Sequence, residues 1–211
     1  MIVRLRRLAA CCLCCFIAGS SPGWAQESHL DAAGDVPKYV RDPIPLYTSG
    51  LGPFHRPISS TNKEAQAFFD QGFQMMYAFA RIDAIRSFRE AWKRDPDCAI
   101  CYWGEGWAWG SYLNGPMSAD QSPFAYAATQ KAISLKDKAS PLEREFIEAL
   151  SVRYVKDFKT ETRKEQDQAY ADAMAKVAAR HPKDLDAITL YADALFILEP
   201  RRGSSRNSAS A

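Results

Sequence analysis

The sequence has few of the residues and motifs from which enzymes build common active sites. Only three of its 211 residues are histidine, and beyond residue 25 there is no GxSxG, HExxH or P-loop sequence. The CxxC at Cys98 and Cys101 has no second CxxC or histidine pair to complete a zinc site. Tyr102 stands where covalent attachment of haem c requires histidine. We therefore predict no catalytic residues, no bound metal and no cofactor.

The apolar run at residues 8–19 is too short to remain as a membrane-spanning helix. It follows three arginines and precedes small residues that end at Ala25, which is the pattern of a secretory signal peptide. We predict that residues 1–25 are a cleaved signal peptide, with a membrane anchor as the alternative. The mature protein is then exported, either periplasmic or secreted.

Cleavage at this point changes the charge and the cysteine content. The formal charge falls from +2 for the whole chain to −1, because the removed segment carries three arginines and no acidic residue. No basic block remains that would indicate binding to nucleic acid or to an anionic membrane. Four of the six cysteines are also removed, which leaves Cys98 and Cys101 in an oxidising compartment.

Residues 65–96 have the pattern of two amphipathic helices. Apolar side chains recur at spacings of three and four on both sides of a polar turn at residues 81–83. Small residues occupy positions where two helices must approach closely, and Pro96 ends the unit because proline cannot continue a helix. We predict a helical hairpin here.

This hairpin resembles the tetratricopeptide repeat (TPR), a helix–turn–helix unit of about 34 residues. The positions that carry the resemblance are Phe68, Gly72, Met75, Ala84, Phe88, Ala91 and Pro96. One repeat length further on, Tyr102, Gly106 and Trp109 occupy the same phase. The resemblance implies an all-α, right-handed solenoid of antiparallel helix pairs, similar to exported bacterial TPR-domain proteins.

The predicted repeat domain covers residues 63–198, with about three and a half repeats. Residues 26–62 are rich in proline, and we interpret them as an irregular segment that packs on the first repeat. Helices are predicted at residues 142–155, 170–180 and 185–198, with a charged, solvated stretch at residues 156–168. Residues 199–211 are a low-complexity tail, predicted to be disordered, and the unpaired helix before it fits a truncated member of the TPR group.

Cys98 and Cys101 form a compact reactive pair at the start of a predicted helix. A spacing of three residues places two cysteines within disulfide range, and a helix N-terminus favours a thiolate. One interpretation is a thiol–disulfide redox centre. The alternatives are a structural disulfide or a pair of inert buried cysteines.

The resemblance also implies a concave groove lined by the first helix of each pair. The aromatic residues at its groove positions are Phe69, Phe73, Tyr77, Trp103 and Trp107. Left open, they would bind an extended peptide or the apolar element of a protein partner. Alternatively, the N-terminal segment or a missing C-terminal half covers them. We predict an exported TPR scaffold for protein–protein interaction, with a thiol–disulfide redox protein as the alternative.

Overall fold

The computed structural model describes residues 36–199, so the predicted signal peptide, residues 26–35 and residues 200–211 lie outside the described part. Within it the chain forms eight α-helices and no β-strand, and the predicted all-α class is confirmed. The helices are α1 (Lys38–Arg41), α2 (Lys63–Tyr77), α3 (Arg81–Arg94), α4 (Ala99–Trp109), α5 (Ser122–Ser134), α6 (Pro141–Ser151), α7 (Arg163–Arg180) and α8 (Leu185–Leu198).

Side-chain caps explain where three of the longer helices begin. Asn62 accepts hydrogen bonds from the backbone N–H groups of Glu64 and Ala65 in the first turn of α2. Ser140 and Glu143 form a reciprocal capping box at the start of α6, and Asp184 caps α8. Each cap satisfies donors that the first turn of a helix leaves without a partner.

From α2 onward the helices pack in chain order, each against the next, and the short α1 contacts α3. In addition α2 contacts α4, and α4 contacts α6. The ring of Phe88 on α3 lies between the backbones of α2 and α4, beside Gly72 and Gly104. Ala84 and Ala91 are fully buried. The small residues therefore allow these three helices to approach closely.

Two predicted boundaries are wrong in the second half. Helix α6 ends at Ser151, four residues before the predicted end, and α7 begins at Arg163, well before residue 170. The turn after α6 brings Arg153 inward, where it is fully buried and donates to Asp167 (2.9 Å). A buried guanidinium needs a carboxylate partner, so part of the stretch predicted to be solvated lies in the interior.

Candidate functional site

Two glutamines of α2 hold the N-terminal segment, residues 42–62, by its backbone. Gln71 accepts a hydrogen bond from Tyr47 N (2.7 Å) and donates one to Pro45 O (3.0 Å). Gln66 makes the same pair of bonds further along the segment. It accepts a hydrogen bond from Ile58 N (3.0 Å) and donates one to Arg56 O (2.8 Å). Because these bonds are made to the main chain, they select an extended conformation and not a particular side chain.

Asp70 of α2 binds the same segment between the two glutamines. Its carboxylate accepts a hydrogen bond from Arg56 N (3.0 Å) and lies 2.8 Å from His55 Nδ1. His55 therefore pairs with a residue of α2, and Asp70 fixes both the backbone and a side chain of the segment.

The five predicted groove residues lie together in one aromatic cluster. Neighbouring ring centroids are 5.0 to 6.2 Å apart. Tyr77 is 39% exposed, whereas Phe69, Phe73, Trp103 and Trp107 are buried. The prediction of an open aromatic groove is therefore corrected at these four positions.

The cover over these rings comes from two directions. Phe54 of the N-terminal segment stacks on Phe73 with centroids 5.3 Å apart. From the other side, Phe146 of α6 lies 5.6 Å from Trp103. Internal cover by the N-terminal segment, which was one of the two interpretations, thus describes the middle of the groove.

Arg56 joins this cover to the start of α8. Its guanidinium lies 5.0 Å from the ring centroid of Phe146 and pairs with Asp184 (3.2 Å) and Asp186 (2.6 Å). Tyr77 donates its hydroxyl proton to Asp186 (2.8 Å). Burial and the nearby Asp186 carboxylate raise the pKa of Tyr77 above its ordinary value, so the phenol remains a neutral donor.

Beyond Tyr77 the groove opens into a pocket of about 330 Å³ between the ends of α2 and α4 and the outer half of α8. We call it the open pocket. Its lining is mostly apolar and comprises Met76, Tyr77, Phe79, Trp107, Tyr112, Leu113, Thr189, Leu190, Ala192, Asp193 and Phe196. Three aromatic rings on its rim, those of Tyr77, Phe79 and Phe196, are 39 to 50% exposed.

Phe79 lines this pocket in an unusual backbone conformation. Its φ is 60°, in the left-handed region where glycine is favoured. The residue follows the C-cap of α2, and bonds from Ala80 N to Met75 O (2.9 Å) and from Phe79 N to Met76 O (3.1 Å) complete a Schellman motif. An aromatic residue here costs backbone free energy that a glycine would avoid, and it places an apolar ring at the mouth of the pocket.

Asp193 is the charged group of the pocket. Among the described residues it has no hydrogen-bond or ion-pair partner, and burial raises its pKa above the ordinary value. The sequence contains a signal for it: Asp193 is the one charged residue within the stretch Ile188–Leu198 of α8. Nothing in the sequence pointed to Phe79, because its significance depends on a backbone angle.

Cys98 and Cys101 form a disulfide at the start of α4, with Cα atoms 5.4 Å apart. Cys98 is the N-cap residue of the helix, and both residues are buried. Exchange with an external thiol needs access to a sulfur atom. The pair therefore has the environment of a structural crosslink more than that of an exposed redox centre.

The sequence analysis also missed a buried acidic residue. Glu105 of α4 is 1% exposed. It accepts hydrogen bonds from Arg89 (2.5 Å), Trp92 (2.6 Å) and Trp109 (3.3 Å). Because these donors occupy its oxygens, the carboxylate serves to join α3 and α4 and leaves nothing free for acid–base chemistry.

In the part of the chain that the structure describes, no three metal-binding side chains come together. No helix there has the length and apolar character needed to cross a membrane. No family model, curated protein or solved structure matches the chain. The aromatic cluster and the open pocket are therefore the features of this chain that indicate a function.

Proposed function

We propose that the chain is an exported TPR-like scaffold that mediates protein–protein interaction through its concave face. In this proposal α2–α3, α4–α5 and α6–α7 are three stacked helix pairs of a right-handed solenoid, and α8 begins a fourth. The contacts of α2 with α4 and of α4 with α6 support it, because stacking places the first helices of successive pairs side by side.

One observation supports the functional part most directly: α2 already holds a helix-free segment of the chain's own polypeptide. Gln66, Asp70 and Gln71 bond to the backbone of that segment, while Phe54 enters the aromatic cluster. Main-chain hydrogen bonds combined with apolar anchor residues are a common way to recognise extended peptides. The face thus has the chemistry required for a protein partner.

The open pocket is where the partner has room to dock. The rings of Tyr77, Phe79 and Phe196 remain partly exposed around one depression. Exposed aromatic residues that surround a concave surface are typical anchors of protein interfaces. The partner would place an apolar element against these rings, next to the end of the N-terminal segment.

Capture of partners from an envelope fraction tests the proposal. The informative variant is Phe79→Ser with Phe196→Ser, which removes two rim rings without opening the core. Val152→Ser with Val155→Ser is the matched control, because these valines are also partly exposed, at 44% and 38%, and do not line the pocket.

A partner retained by wild type and the control should then be purified and its affinity measured. We expect the rim variant to lose at least about tenfold in affinity, the usual effect of removing anchor residues. Equal affinity of all three proteins would contradict docking at the open pocket. Absence of any retained partner would contradict the scaffold function.

A further inference from the structure

The open pocket combines aromatic walls with one unneutralised carboxylate. Five of its lining residues are aromatic, and none is lysine, arginine or histidine. Asp193 is the lining residue that carries a charge near neutral pH, and within the described residues its carboxylate has no bonded partner. A carboxylate on an apolar wall is costly unless a cation or hydrogen-bond donors reach it.

Among the described residues no charged side chain bonds to Asp193. Arg153 and Asp167 both act on it electrostatically, but they bind each other at 2.9 Å, and the buried Arg153 Nη1, which has no hydrogen-bond partner, does not reach Asp193. Arg81 lies over the ring of Tyr112, and its guanidinium donates to backbone carbonyls at the end of α4. The cation that would best complement Asp193 is therefore one that enters the pocket from outside.

The hydroxyls of the pocket also favour a ligand that donates hydrogen bonds. Tyr77 gives its proton to Asp186 (2.8 Å), and Thr189 gives its proton to Leu185 O (2.7 Å). The two hydroxyls also interact with each other, and neither has a proton left to give to a ligand. Together with Asp193 they present acceptors to the ligand, and an ammonium group has three donors and no acceptor.

We propose that the open pocket binds a small organic amine, an ammonium group on a short alkyl or aryl body. The ammonium would contact Asp193 and the aromatic faces, which attract cations, and the apolar body would fill the rest of the depression. The volume of about 330 Å³ lies at the lower end of pockets for small molecules. This inference goes beyond the proposed function, because it assigns a free small molecule to the pocket independently of any protein partner.

Three probes of matched size test the assignment: phenethylamine, 2-phenylethanol and phenylacetate. Binding is followed by NMR, with the indole N–H of Trp107 as the reporter from the pocket wall. We expect the amine to bind at least about tenfold more tightly than the alcohol, as expected for a hydrogen bond to a charged group. The anion should bind more weakly than the alcohol.

Two variants and one control identify the pocket. Asp193→Asn should abolish the preference for the amine, whereas Asp172→Asn, the same change at an exposed position of α7, should preserve it. Ala192→Phe fills the pocket from an exposed position and should weaken binding of all three probes. It keeps the test valid if Asp193→Asn folds poorly.

Three outcomes would overturn the inference. The first is equal affinity of wild type for the amine and the alcohol. The second is a preference for the amine that survives both Asp193→Asn and Ala192→Phe. The third is binding of Nα-acetyl-lysine methylamide as tightly as phenethylamine, because a lysine of a protein partner would then be the better occupant. The protein-capture experiment is read separately, so failure of either proposal leaves the other testable.

Discussion

At the scale of single residues, the space around Phe88 depends on two glycines. A Cβ atom on Gly72 would lie 2.8 Å from the Phe88 ring, and one on Gly104 would come closer still. The TPR resemblance predicts a glycine at a close helix contact at Gly72. It does not predict one at Gly104, because the repeat pattern places the glycine of the second hairpin at Gly106. Only the packing of α3 against α4 shows that Gly104 is needed.

We expect Gly104→Ala to destabilise the fold by about 1–3 kcal/mol, because a buried ring must move to admit the methyl group. In an exposed helix the same change would stabilise by about 1 kcal/mol, so the sign of the effect is informative. Gly52→Ala is the control, since its Cβ would meet nothing closer than 3.9 Å. Urea denaturation measures both, and a neutral Gly104→Ala would contradict the packing described.

Phe79 provides a second prediction at this scale. At a φ of 60° alanine is strained and glycine is not, so Phe79→Gly should be more stable than Phe79→Ala by about 1 kcal/mol. Phe196 is almost equally exposed but lies inside α8. There the order should reverse, with Phe196→Ala the more stable by about 1 kcal/mol. Thermal or urea denaturation of the four variants measures their stabilities. If glycine and alanine ranked in the same order of stability at both positions, the left-handed conformation of Phe79 would be contradicted.

At the scale of elements, the start of α6 binds the N-terminal segment. The buried Glu143 carboxylate accepts hydrogen bonds from Ser140 N (2.7 Å) and from Ser59 N (2.8 Å), and it also bonds the Ser59 hydroxyl. The capping box is a local feature, since Ser140 and Glu143 are three residues apart. The use of the same carboxylate by Ser59 is not, because Ser59 and Glu143 are 84 positions apart in the sequence.

Glu143→Ala should therefore cost more than the loss of a helix cap, which is about 1 kcal/mol. We expect about 2–3 kcal/mol, because backbone donors of two elements lose a charged acceptor in partly buried hydrogen bonds. Glu148→Ala is the control on the same helix, where an exposed pair with Lys136 should contribute less than about 1 kcal/mol. Denaturation gives the free energies, and hydrogen exchange at Ser59 should accelerate in the first variant alone.

At the scale of the whole molecule, the groove is closed by residues that are far apart in the sequence. Arg56 of the N-terminal segment pairs with Asp184 and Asp186 at the start of α8, so the middle of the aromatic cluster is interior. The open pocket is the part that this closure leaves accessible. A binding function therefore depends on the rim of the groove and not on all five of the predicted aromatic residues.

The disulfide supplies a prediction for the whole fold and tests the redox alternative. Because Cys98 and Cys101 are buried, a small thiol should reduce the bond slowly in the native protein and rapidly in denaturant. Alkylation followed by mass spectrometry measures both rates. Rapid reduction of the native protein, or catalysis of insulin reduction, would instead favour the thiol–disulfide redox function.

Local sequence determined much of the architecture. The period of apolar residues, the caps at Asn62 and Ser140 and the terminator Pro96 each depend on neighbours within a turn or two, so they placed most helices correctly. The inward turn at Arg153, the position of Phe54 on Phe73 and the placement of Asp193 in the open pocket were decided by tertiary structure. They depend on which distant groups meet, and a pattern of spacings within one chain contains no information about burial across helices. For that reason the sequence predicted an aromatic groove, whereas the folded chain determined that its middle is filled and its far end is open.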